Sequence, residues 1–252
     1  MVVALSMMVS PSAGAAEVKV LSAVGMRQVM LELGPGFERS AGHRLKITFD
    51  STGLLAKRIA DGEEVDVAML NESAVEALVK DGKLIAHSVT PIARSVAAVA
   101  ILKGAARPDI ATPDAFKRLL LSAKSIARPS AAVGGSSGDH IARVLTQLGI
   151  ADEVNAKSVF VTIGHPGQVA NSPGEAVATG HAEIALHQRQ ELMAVPGIEI
   201  VGPFPGELQG SFGFSAALGA KTKTSRAGAA LIAFLRTPEA LKVIRAKGME
   251  PR

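Results

Sequence analysis

From Glu17 onward, short runs of β-branched and apolar residues alternate with longer segments whose apolar residues recur at helical spacing. This alternation confines the chain to an α/β architecture in which helices cover mostly parallel sheets. Strands are expected at 18–23, 45–49, 65–70, 89–102, 125–127, 159–163, 183–186, 198–201 and 212–217. Helices are expected at 26–38, through Val29, Met30, Leu33 and Phe37, at 54–61, and at 139–148. A further helix follows Asn71 or Ser73 as cap, with Val75, Leu78 and Val79 on its inward face and Asp81-Gly82 at its end. Three more helix starts carry a hydroxyl, a proline and an acid within four positions: Thr112-Pro113-Asp114, Ser172-Pro173-Gly174-Glu175 and Thr237-Pro238-Glu239. Each satisfies the free N–H groups of a first turn and complements the helix dipole.

The run at 89–102 is much longer than the usual strand of about five or six residues, which suits a strand that leaves one sheet and enters another. With 212–217 as the returning strand, the expected division is a first lobe of 17–93 plus 214–252 and a second of 94–213, hinged at the crossing. No fixed-period repeat and no low-complexity tether separates the two.

The first sixteen residues carry no charge, and VVALSMMV is followed by small residues up to Ala16. This shape predicts a secretory signal peptide over 1–16, although no Lys or Arg precedes the apolar run. Nothing later is apolar for long enough to span a bilayer, so no membrane insertion of the mature chain is expected and the predicted location is periplasmic.

Composition removes whole classes of chemistry. The 252 residues include no Cys, so disulfides, thiolate metal sites and cysteine nucleophiles are excluded. Six histidines stand without a His-Glu-x-x-His motif or an i, i+4 pair, and no metal site and no cofactor is expected. A net charge of +4 without any cluster of five or six Lys and Arg argues against nucleic acid as a partner. The chain has no Trp and no Tyr, the residues from which sugar platforms and quaternary-ammonium cages are usually built.

Ligands of open α/β sheets bind beyond the carboxyl ends of the strands. Three such junctions share one composition: Ser22-Ala23-Val24-Gly25, Ser51-Thr52-Gly53 and Gly134-Gly135-Ser136-Ser137-Gly138. Small residues, hydroxyl donors and free N–H groups at a helix start together describe an anion cradle. The glycine run is neither a P-loop nor a dinucleotide fingerprint. It does match Gly-x-Ser-x-Gly with Ser136 at its centre, and a serine hydrolase would draw its partners from Asp152 or Glu175 and His181 or His187. Arg94, inside the long apolar strand, must find a carboxylate or reach the interlobe cleft. Gln188, after the strand at 183–186, stands where another cleft-facing side chain is expected.

The runs VKVLSA at 18–23, STGLLAKRIADGEEVDVA at 51–68 and GSSG at 135–138 resemble the molybdate-binding-like, type II, solute-binding proteins of ABC transporters. The resemblance covers about 18–251. It implies a two-lobed periplasmic-binding-protein fold, each lobe a mostly parallel sheet flanked by helices, joined by crossing hinge strands that close over an anion. Carried over by position, Ser22, Thr52 and Gly53 line the first lobe's half of the site, and Ser136, Ser137 and Gly138 the second's. The implied partners are a small anionic ligand and a transporter permease, and a monomer is expected. Molybdate binders usually add a Tyr hydroxyl, and Arg94 suits a carboxylate, so an organic polycarboxylate is the expected ligand. A periplasmic aconitate isomerase shares this layout. If the chain is such an enzyme, His140 or Glu72 is its expected base.

Overall fold

The structure, a computed structural model, describes residues 15–133, 135–161 and 169–252. The expected signal peptide thus lies outside the described residues except for Ala15 and Ala16.

The first half of the chain runs β1 (Glu17–Ala23), a 3-10 turn at Val24–Met26, α1 (Arg27–Ala41), β2 (Arg44–Asp50), α2 (Thr52–Ala60), β3 (Val67–Asn71), α3 (Glu72–Lys80) and β4 (Thr90–Leu102). The middle contributes α4 (Pro113–Ser122), β5 (Ile126–Arg128), α5 (Ser136–Gln147), α6 (Ala151–Ala156), β6 (Ser158–Phe160), α7 (Pro173–Ala178), β7 (Ile184–Gln188), α8 (Arg189–Met193) and β8 (Ile198–Pro203). The chain then returns through β9 (Ser211–Leu218), α9 (Ser225–Phe234), α10 (Pro238–Ala246) and the two-residue β10 (Glu250–Pro251).

Local chemistry explains most boundaries. Thr112, Ser172 and Thr237 each cap a helix, their hydroxyls accepting the N–H of Ala115, Glu175 and Ala240 at 3.1, 3.1 and 3.4 Å. Proline follows each cap at the first helical position, where its missing N–H costs nothing. Helix α1 buries Val29, Met30, Leu33 and Phe37, the stripe expected from their spacing. Helix α5 starts three residues earlier than the sequence suggests, which puts Ser136 and Ser137 in its first turn.

The strands are ordered β2-β1-β3-β9-β4-β7-β5-β6, with β8 and β10 also paired to β4. Pairing is parallel between β1 and its neighbours β2 and β3, and between β5 and its neighbours β6 and β7. It is antiparallel wherever β4 or β9 takes part. The sheets are therefore mixed rather than mostly parallel, because the two crossing strands run against their neighbours. Strand β4 pairs with β9 from Thr90 to Val96 and with β7 from Ala97 to Ile101. Its thirteen residues thus serve both lobes, and the change of partner falls between Val96 and Ala97. Among the described residues, ten strands and flanking helices make a two-lobed α/β protein with the cleft beside this crossing.

Candidate functional site

Three strand-to-helix junctions converge on one cleft. Ala23, Val24 and Gly25 come from the end of β1, Asp50, Ser51 and Thr52 from the turn between β2 and α2, and Gly135, Ser136 and Ser137 from the start of α5. Asn71 closes the wall from the end of β3; Pro129, Val161 and Pro173 add apolar surface on the other side. His187, Gln188 and Glu191 form the face contributed by β7 and α8. Neither the 3-10 turn at Val24 nor α5 has a side-chain cap, so their first N–H groups are free to meet a ligand. At α2 the cap is Ser51, whose hydroxyl takes the N–H of Leu54 at 3.3 Å.

Two glycines set the closeness of these walls. A Cβ on Gly25 would stand 2.6 Å from the ring of Phe214 and 3.1 Å from the Gln190 amide. One on Gly138 would stand 2.6 Å from the carbonyl oxygen of Ser130, so only glycine lets the first turn of α5 rest on that backbone.

A hydrogen-bonded chain crosses the cleft. Thr52 donates to the Asn71 side-chain oxygen at 2.5 Å, and the Asn71 amide donates to the Ser136 hydroxyl at 3.0 Å. Asn71, read from the sequence as a cap for α3, makes no cap bond; its side chain ties the β2–α2 turn to α5. A second chain lies deeper. Gln190, 2% exposed, accepts from Ser95 and donates to the Gly25 carbonyl at 3.2 Å and to the Gln188 side-chain oxygen at 2.9 Å. With its oxygen so held, Gln188 turns an amide N–H2 that has no partner among the described residues.

The remaining sequence candidates fall elsewhere. Ser22 is fully buried in β1, its hydroxyl 3.3 Å from the Ala23 carbonyl, and does not line the cleft. Gly53 and Gly138 support the walls without lining them. Arg94 is exposed on β4 and pairs with Glu250 at 2.6 Å, the carboxylate its position called for. Glu72 and His140 face a separate outer chamber, where Glu72 meets Arg252 at 3.4 Å and His140 Nε2 meets the Leu208 carbonyl at 3.0 Å. Burial pushes His140 below the ordinary histidine value.

Two residues passed over in the sequence, Glu191 and Arg128, now matter, and His187 takes a place other than beside Ser136. Glu191 lines the cleft with a side chain only 14% exposed, and His187 lies 3.5 Å from it. Burial raises the Glu191 pKa above the ordinary value, against the opposing pull of the Arg27 charge. Arg128, 3% exposed and next to the cleft residue Pro129, has no carboxylate partner among the described residues. It is held by Ser158 at 2.9 Å, by Asn155, and by the ring of Phe160, whose centroid lies 4.5 Å away. A buried guanidinium without a counter-ion favours negative charge nearby. The polar run Gln188-Arg189-Gln190-Glu191 directly after a fully buried strand was the available signal.

A nucleophile elbow is not formed. That device places its serine on a strained turn, whereas Ser136 opens a regular helix and no residue other than glycine has positive φ among those described. The Ser136 hydroxyl is held by an amide and has no histidine bonded to it among the described residues. No group of three or more potential metal ligands occurs among the described residues.

Two lobes that meet over helix starts, hydroxyls and amide donors have the architecture of a solute-binding protein. The chain belongs to the bacterial extracellular solute-binding proteins, whose family model matches residues 18–250. It is similar to an aconitate isomerase of a Pseudomonas species, 32% identical over 92% of this chain and 87% of that one. It is also similar to the molybdate-binding protein of Azotobacter vinelandii, 28% identical over 94% of this chain and 91% of that one. The solved periplasmic molybdate-binding protein from the same organism superposes with a TM-score of 0.69 at 21% identity, over 92% of this chain and 98% of that one.

Proposed function

We propose that this protein captures a small organic anion, a polycarboxylate in preference to a tetrahedral oxyanion, between its lobes in the periplasm and delivers it to an ABC transporter. The observation that carries this reading is the convergence of three junctions from both lobes on one cleft, linked by Asn71. The inner cleft is a small cavity of about 80 Å³, room for one anionic group. The outer chamber offers about 520 Å³ and shares Asn71 and Ser136 with it. Arg143 lines the outer chamber, where a second carboxylate would be received. The lack of any Tyr removes the hydroxyl that molybdate binders usually add. The family, bacterial extracellular solute-binding proteins, supports a place outside the cytoplasm.

A second reading, an isomerase acting on an unsaturated tricarboxylate, is favoured by one observation. A titratable pair, His187 and Glu191, faces the cleft, and the relative of 32% identity is an aconitate isomerase. A thermal-shift panel of molybdate, sulfate, phosphate, citrate, cis- and trans-aconitate and short dicarboxylates tests the first reading. Polycarboxylates are expected to give the largest shift, since a ligand at 100 times its dissociation constant adds about 2.7 kcal/mol. A shift with molybdate alone overturns the ligand preference. Ultraviolet absorbance of aconitate tests the second: a steady change catalysed by the protein establishes turnover, and a flat trace limits the protein to binding.

A further inference from the structure

Glu191 poses a question that a cradle of neutral donors does not answer. An ionised carboxylate in the wall of an anion cleft repels its guest, and its burial in the wall disfavours the charge even before a guest arrives. The hydrogen bonds of its neighbour show how the group is held. The backbone N–H of Gln188 donates to His187 Nδ1 at 2.7 Å, so that nitrogen presents a lone pair and the ring proton resides on Nε2. Glu191 Oε1 lies 3.5 Å from this same Nδ1. The contact is then not an ion pair: Nδ1, its one lone pair taken by the Gln188 N–H, offers the Glu191 carboxyl neither a proton nor a charge to offset its burial. Among the described residues, the other charged groups around Glu191 are Arg27, from the start of α1, and Asp50, which lines the cleft at the end of β2. α5, β3 and β9 present no titratable side chain to this cleft; their lining residues are Ser136, Ser137, Asn71 and Phe214.

We propose that Glu191 stands in the empty cleft as a neutral carboxylic acid and donates its proton in a hydrogen bond to the bound anion, making capture proton-linked. The inference rests on the proposed capture of an anion in this cleft and names a ligand group the sequence did not suggest. Its balance is simple. At a pH where the empty cleft holds the acid, the O–H turns to the guest and no proton is exchanged with solvent. At higher pH the ionised group takes up one proton from solvent for each anion bound. The guest must therefore offer Glu191 an unprotonated oxygen, as a carboxylate or a fully deprotonated oxyanion does.

The test measures affinity for citrate and for molybdate by calorimetry from pH 5.5 to 9.5, in buffers of differing ionisation enthalpy, with Glu191→Gln and His187→Gln as variants. The expected result is an affinity that falls toward tenfold per pH unit at the alkaline end, with one proton taken up per anion. Glu191→Gln, which keeps an N–H donor at the same place, is expected to bind within a few-fold of the low-pH wild type and to lose the pH dependence. A carbon-detected titration of the ligand-free protein should show one glutamate carboxyl that loses its proton at a higher pH than the others and is missing from Glu191→Gln. Binding that is flat with pH, a slope kept by Glu191→Gln, or a slope lost only in His187→Gln overturns the assignment of Glu191. Failure of both anions to bind at every pH overturns instead the functional reading on which it rests.

Discussion

Asn71 and Ser136, 65 residues apart in the chain, are joined across the cleft by a 3.0 Å hydrogen bond. The same Asn71 side chain accepts from Thr52, so one amide holds a hydroxyl from each of the two helix starts that frame the anion cradle. The arrangement is a latch whose two halves belong to different lobes.

Asn71→Ala removes both bonds while leaving the strand intact. A hydrogen bond of this kind contributes about 1 kcal/mol. Ligand-free stability is therefore expected to fall by about 1–2 kcal/mol in chemical denaturation. Anion affinity should drop by roughly tenfold in calorimetry, because Thr52 and Ser136 lose their orientation. Small-angle scattering of the ligand-free variant should show a larger radius of gyration than the wild type.

Gln190 carries the deeper link. Its substitution by Leu leaves the Gly25 carbonyl, the Ser95 hydroxyl and the Gln188 side-chain oxygen without their partner in a buried setting. Each unmade bond at such a place costs about 1–3 kcal/mol. Gln190→Leu is expected to lower the urea midpoint more than Asn71→Ala does. Equal or smaller loss would show that the three groups find other partners.

Charge placement gives a contrast between two arginines. Arg94→Ala breaks an exposed pair with Glu250, a type of pair that contributes about 0–1 kcal/mol, and is expected to leave anion affinity unchanged. Arg128→Met removes the buried guanidinium beside Pro129 and is expected to weaken anion binding several-fold with little change for a neutral analogue. Calorimetry at low and moderate salt separates the two, since a buried charge is screened less than an exposed one.

Acid stability has an identifiable source in the first lobe. Glu63 is held by Arg58 through contacts of 2.5 and 2.8 Å and by Lys19 at 2.8 Å. The Arg58 hydrogen bonds, with those of Lys19, pull its pKa from 4.5 to about 2. Because the folded value is the lower one, the stabilisation is fully present above about pH 4.5 and is lost as pH falls toward 2. Denaturation of Glu63→Gln at pH 6 and pH 3 should show a smaller acid-induced loss than the wild type.

The alternation of strand and helix was legible because it rests on local physics. Periodicity placed the buried stripe of α1, and the hydroxyl–proline–acid starts located three helices with their cap bonds. The length of 89–102 disclosed the crossing strand, and the composition of three junctions pointed to the cleft they now share. Less was legible in the individual side chains. Arg94 looked buried because its neighbours are apolar, yet it lies on the face of β4 where β10 brings Glu250. Ser22 looked free because it precedes a glycine turn, but the strand ends one residue later and keeps it inside.

The sequence by itself determined the order of elements, the helix caps and the kind of backbone that surrounds the ligand, since each depends on residues within a few positions of one another. Only the tertiary structure decided that Asn71 reaches Ser136, that Gln190 joins Gly25 to Gln188, and that Glu191 meets His187 in the wall of the cleft. A side chain's partners and its protonation follow from what packs against it, and the faces of this cleft come from elements far apart in the chain, among them β1, β3, α2, α5 and α8, which only the tertiary fold brings together.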